Sequence, residues 1–194
     1  PAVNWHQVSI DCASWGDAVL LLQRCARSAV ALHLATLLEA PLLERLPAWS
    51  GPVTGQHRLL LLVAPDGVGT LARLAADAGA AVHELGPEDV NAGQGLRELS
   101  WNHTTLHMRA AEAGWTYLQM LLPEPELPAM DQLKQRWGDA LLWHLEGVRQ
   151  QGCSRLAALP LVRWSSKPQL EQLMADCREL GAVLFNPHVI TVED

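Results

Sequence analysis

The sequence predicts an α+β fold, two ferredoxin-like βαβ halves that form one antiparallel or mixed sheet with helices packed on one side. Three observations predict it. Stretches alternating with period two interleave with stretches of helical periodicity along the whole chain. Both kinds recur in a similar order on either side of a Gly- and acid-rich linker at 86–95, near the midpoint of the 194 residues. Apolar residues make up 49% and charged residues 18%, enough to bury a core at this length. The halves are residues 1–90 and 95–194, and they share an order of elements without a visible sequence repeat.

Taken in order, residues 6–11 alternate polar and apolar and read as the first strand. Ser14 then caps a helix over 15–28, whose Ala18, Leu21, Leu22 and Cys25 share one face. Residues 30–37 read as a strand, 40–46 as a short segment, and 47–55 as a loop rich in Pro and Gly. The run 57–64 is nearly all apolar between turn residues, as a strand buried on both faces should be. A helix over 68–78 follows, with Asp66 as its expected N-cap, then a strand over 80–85.

In the second half the pattern predicts a helix over 96–113, a strand over 115–122 and a proline-dense turn at 123–128. A long helix over 129–151, a strand over 156–164 and a helix over 167–180 come next. Strands at 182–185 and 189–192 close the chain.

Composition excludes several classes. The net charge is −7 and no cluster of Lys and Arg exists, which argues against a nucleic-acid groove or an anionic membrane surface. Apolar runs such as 59–64 are too short to span a bilayer, and nothing reads as a signal peptide. Cys12, Cys25, Cys153 and Cys177 form no CxxC pair, so reduced thiols in a cytoplasmic protein are expected. The chain starts at Pro1 and stops at Asp194 just after a strand-like run, which reads as a domain cut from a larger protein. Eight tryptophans against one Tyr and one Phe fit a domain whose edges a partner covers.

Three motifs carry possible chemistry. Gly67-Val-Gly69 lies between a strand and a helix, where a dinucleotide pyrophosphate could sit on the helix N-terminus with Glu84 toward the ribose. Pro65 and Asp66 intervene, however, and an Asp66 carboxylate would take the N–H groups a phosphate needs. In the run 100–107, His103 and His107 stand at i and i+4, the spacing for a shared metal. Thr104 replaces the Glu of a metalloprotease motif and no third ligand appears, so no metal is expected. Asn102 and Trp101 flank these histidines and favour a substrate-facing role. In Asn186-Pro-His188 the proline bends the chain and can turn the imidazole into a cleft.

The runs Leu99-Ser-Trp-Asn-His-Thr-Thr-Leu-His107, Trp115-Thr-Tyr-Leu-Gln119, Phe185-Asn-Pro-His-Val-Ile-Thr-Val-Glu-Asp194 and Leu38-Glu-Ala-Pro-Leu-Leu-Glu-Arg-Leu-Pro47 resemble the C-terminal half of FAD-binding oxidoreductases. These are similar to D-lactate dehydrogenase and to the flavoprotein component of glycolate oxidase, in the vanillyl-alcohol oxidase group. The resemblance implies a cap domain over the flavin, with FAD held mainly by an N-terminal domain of the same polypeptide that this chain lacks. It implies oxidation of a 2-hydroxy acid or similar alcohol by hydride transfer to flavin, with the domain inactive alone. His188 and His103 are then the catalytic candidates, and Asn102, His107, Trp101 and Asn186 would meet the small-molecule substrate. The HxGDGNxH-like motif of the best-known lactate dehydrogenases is absent. Two other readings stand beside this one: a self-contained ferredoxin-like ligand-binding or regulatory module, and an NAD-type nucleotide-binding protein using Gly67 and Gly69.

Overall fold

The computed structural model describes residues 4–52, 54–89 and 94–185. In the first half, β1 (His6–Cys12) leads into α1 (Trp15–Arg27). Ser14 accepts a hydrogen bond from the Asp17 N–H at 3.4 Å, with Asp17 in the first turn and Arg24 and Arg27 in the last. Cap and charges thus both complement the helix dipole. β2 (Leu32–Leu38), α2 (Ala40–Leu43), β3 (His57–Val63), α3 (Val68–Asp77) and β4 (Ala81–Pro87) complete the half. Its strands run in the order β2-β3-β1-β4, all antiparallel, which is the ferredoxin-like arrangement.

The second half begins with a 3₁₀ turn, Leu96–Leu99, and α4 (His103–Ala111). β5 (Trp115–Tyr117), β6 (Gln119–Leu121) and α5 (Glu126–Trp137) follow, then β7 (Leu141–Leu142), β8 (His144–Gln150) and β9 (Cys153–Ala158). β10 (Leu161–Arg163), α6 (Lys167–Glu179) and β11 (Val183–Phe185) complete the described residues. The order β11-β6-β9-β8 repeats that of the first half, strand for strand. β8 joins β2, so two four-stranded units make one eight-stranded antiparallel sheet. β5, β10 and β7 form a separate small sheet.

The four longest helices, α1, α3, α5 and α6, pack on one face of the large sheet. They enclose Val8, Ile10, Leu37, Leu59, Leu61 and Leu145 there. The opposite face carries a smaller core, in which Leu38, Leu60 and Leu62 meet Leu42, Leu99, Met108 and Trp115 from α2, the 3₁₀ turn, α4 and the small sheet. β3 is buried on both sides, as its apolar run requires.

Several expected elements are corrected. The helix over 129–151 ends at Trp137, because Gly138 takes φ 51° and turns the chain into β7 and β8. The strand over 115–122 is two strands in different sheets, changing over at Leu118. The strand over 156–164 likewise divides into β9 and β10. The helix over 96–113 is broken at 100–102, where Trp101 stands at φ 51°. Asp66 does not cap α3: it lies in a 3₁₀ turn, Pro65–Gly67, and Gly67 occupies the cap position. The strand expected at 189–192 lies outside the described residues.

Candidate functional site

The two halves meet where β2 and β8 pair, through Thr36↔Glu146, Leu37↔Leu145 and Leu38↔His144. Alternation sends Leu145 to the helical side and His144 and Glu146 to the other. Both polar side chains are deeply buried, at 0% and 2% exposure, so each must find partners. Glu146 accepts from the Thr36 hydroxyl at 2.7 Å, from the Trp101 backbone N–H at 2.8 Å and from His144 Nε2 at 2.8 Å. His144 Nδ1 lies 2.9 Å from Thr104 Oγ1.

Hydroxyl, imidazole and carboxylate stand in sequence in this cluster, as they do in a nucleophilic triad. Thr104 is wholly buried, however, and no substrate reaches it. The cluster instead positions a loop. Trp101 holds a left-handed backbone conformation that costs a non-glycine residue roughly 1–2 kcal/mol, and its side chain is 46% exposed. Three structural levels converge on this residue: a carboxylate on β8 grips its N–H, the break before α4 turns it outward, and the backbone is strained.

The sequence-predicted residues sort clearly around this point. Asn102 is exposed at the N-cap of α4, and its side chain makes no cap hydrogen bond. His103 Nδ1 lies 3.2 Å from the Glu98 carboxylate. His107 Nε2 lies 2.8 Å from the Glu98 carbonyl oxygen. The two imidazoles therefore share Glu98 as a neighbour. Among the described residues no group of three His, Cys, Asp or Glu side chains could hold a metal ion. Leu106, three residues on from His103 in α4, is 60% exposed, and Trp101 stands exposed just before the helix. His188 and Asn186 lie outside the described residues.

Of the glycine pair, Gly67 is a packing residue. A Cβ at Gly67 would stand 2.6 Å from Val30 Cγ1 and 2.7 Å from Val63 Cγ2. Gly67 is thus required by packing of the turn against the core, and it faces inward. A Cβ at Gly69 would meet nothing within 4 Å, so packing accounts for Gly67 and not for Gly69.

Sequence reasoning missed Glu146, His144, Thr36 and Thr104 as a unit. The available signal was the alternation in Leu141-Leu-Trp-His-Leu-Glu-Gly147, which sets His144 and Glu146 on one face of a strand amid apolar neighbours.

A second buried carboxylate, Glu39, braces the same region. It accepts from the Trp143 N–H at 2.7 Å and pairs with Lys134 Nζ at 2.7 Å. Beside it His57 Nδ1 accepts from the Ala40 N–H at 3.2 Å. Burial lowers the His57 pKa, with Glu39 opposing and Lys134 adding to the shift.

No protein-family model matches the chain, and no curated protein matches it in sequence. Among solved structures it is similar to alkyldihydroxyacetonephosphate synthase in two crystal forms. In the P212121 form the TM-score is 0.63 at 10% identity, covering 96% of this chain and 42% of the synthase. In the P1 form it is 0.61 at 10% identity, covering 94% and 40%. The chain thus spans about two-fifths of the enzymes it matches. The likeness shows a shared fold, and the α+β class read from the sequence is the one observed.

Proposed function

We propose that this chain is the substrate-side cap domain of an FAD-dependent oxidoreductase that oxidises a 2-hydroxy acid or a similar alcohol. The observation that carries the reading is the fold. Nearly the whole chain superposes on part of alkyldihydroxyacetonephosphate synthase, an FAD-binding enzyme, leaving more than half of that enzyme unmatched.

This reading leaves the pyrophosphate to another domain, the N-terminal one of the same polypeptide. When bound, the flavin supplies the hydride acceptor. The chain's own residues supply the substrate side. His103 has Nδ1 3.2 Å from the Glu98 carboxylate, and its Nε2 would take a hydroxyl proton. Asn102 beside it can bind a carboxylate or hydroxyl, and Trp101 excludes water. His107 and Asn186 are further substrate contacts, and His188 is the second candidate base.

The test is a polypeptide that carries this chain together with its flavin domain, followed by visible absorption. A flavin spectrum bleached anaerobically by glycolate or D-lactate, with bleaching slowed at least tenfold in His103→Ala or His188→Ala, supports the reading. A colourless protein that takes up no FAD overturns it and leaves the ligand-binding module as the reading to pursue.

A further inference from the structure

Two arginines from different elements meet at the far end of α4 from His103. Arg163, on β10, lies over the Trp115 ring with its guanidinium carbon 4.6 Å from the centroid, and its Nη2 stands 2.7 Å from Glu112 Oε1. Arg45 follows α2. Its Nη1 donates to the Pro41 carbonyl, and its Nε lies 3.7 Å from the other oxygen of Glu112. Both guanidiniums are thus held in place, and one carboxylate, from the C-cap residue of α4, lies between them.

Glu112 fills this position incompletely. Its contact with Arg163 is close, but the 3.7 Å to Arg45 exceeds hydrogen-bond reach. Arg163, and next the Trp115 indole N–H, hold the Glu112 carboxyl below the usual carboxylate range, so the indole faces the same point. Trp115 is nevertheless only 4% exposed and its N–H makes no hydrogen bond, which buried donors seldom tolerate. Three donors from three elements therefore face one anionic position, and Glu112, whose side chain is 39% exposed, meets one of them well. A cavity of about 410 Å³ opens beside them, lined by Arg45, Arg163 and Trp115, within the roughly 300–1,000 Å³ of small-molecule sites. Its other charged groups are acids. Glu44 lies 3.5 Å from Arg45. Asp139 is exposed in the 3₁₀ turn Gly138–Ala140, which packs against β10, and it pairs with no cation among the described residues.

We propose that this cavity binds a small α-amino acid as its zwitterion, the ligand carboxylate replacing Glu112 against Arg163, Arg45 and the Trp115 N–H, and the ammonium meeting Asp139. Guanidinium groups favour a planar carboxylate. Two cations and two anions around one cavity match a ligand that carries both charges, and they disfavour a simple anion or a simple amine. Glu112 holds the place until the ligand arrives and then turns into water. The site belongs to this chain alone and needs no flavin, so its test stands apart from that of the oxidoreductase reading.

L-Alanine titrated into the 194-residue chain at constant ionic strength is the experiment, with the Trp115 indole N–H followed by NMR. A saturable shift of that resonance is expected. Propionate, which lacks the ammonium, and ethylamine, which lacks the carboxylate, should not produce it. Arg163→Gln should weaken binding at least tenfold, and so should Asp139→Asn, an exposed position where the fold is not at stake. Glu112→Gln, which removes the internal competitor, should tighten it. A shift that does not saturate, that either analogue reproduces, that persists in Asp139→Asn, or that weakens in Glu112→Gln overturns the proposal.

Discussion

Glu146 on β8 holds the backbone N–H of Trp101 at 2.8 Å, and Trp101 sits there in a left-handed conformation with its indole turned outward. A carboxylate that is almost wholly buried thus fixes a residue nearly half exposed. The same carboxylate satisfies Thr36 and His144.

Removing that carboxylate strands all three donors. Glu146→Ala is expected to destabilise the fold by about 3–5 kcal/mol, the usual result of taking one partner from a buried polar pair. Glu146→Gln should cost less, because its amide oxygen still accepts. Urea unfolding of both variants measures the difference.

Trp101 answers the converse question. Trp101→Gly releases a left-handed strain of roughly 1–2 kcal/mol and adds about 0.5–1 kcal/mol of unfolded-state entropy. Stability should therefore hold or rise slightly. Turnover in the flavin-bearing polypeptide should fall if the indole covers substrate. Urea midpoints and steady-state rates on the same variant separate the two effects.

His57 gives the fold a dependence on acid. Its folded pKa lies below the ordinary 6.5, chiefly through burial, so the unfolded chain binds a proton that the folded chain resists. Its contribution is complete above about pH 6.5 and is lost as the pH falls toward the lowered value. Protonation would also abolish the acceptor that Ala40 uses. Urea unfolding at pH 7.5 and 5.5 should show this loss, and His57→Asn should flatten it.

The thiols should divide three to one. Burial pushes Cys25 and Cys177 up to about 12 and Cys12 up to about 11, so all three remain protonated at pH 8 and shielded. Cys153 is exposed. An aromatic disulfide reagent should titrate one thiol rapidly in the native protein and four in denaturant.

Gly67 separates packing from nucleotide binding. Gly67→Ala forces a methyl against Val30 and Val63 and should cost about 1–3 kcal/mol by overpacking. NAD should leave the melting temperature of the unaltered chain unchanged. A rise with NAD concentration would return the nucleotide reading to consideration.

The first half was legible almost element by element. Its strands are seven residues long and its turns carry Pro and Gly, so each pattern stands clear. The second half was not, for two physical reasons. Gly138 ends a helix by backbone conformation, yet helical spacing of apolar residues continues past it into β8. Leu118 passes the chain from one sheet to another with no change in residue type. The surface histidines at 103 and 107 were visible as a motif because they are close in sequence. The Thr36–Glu146 contact spans 110 positions, and only the folded sheet brings it together.

The short ladder between the halves has a mechanical consequence. β1 and β3 are riveted by seven residue pairs and β8 and β9 by six, but β2 and β8 by three. Few backbone pairs join the halves, so the shared core and side-chain contacts such as Glu146 to Thr36 must hold the seam. Parting the halves at this seam pulls the Glu146 carboxylate from Thr36, while its hold on Trp101, in the same half, is kept.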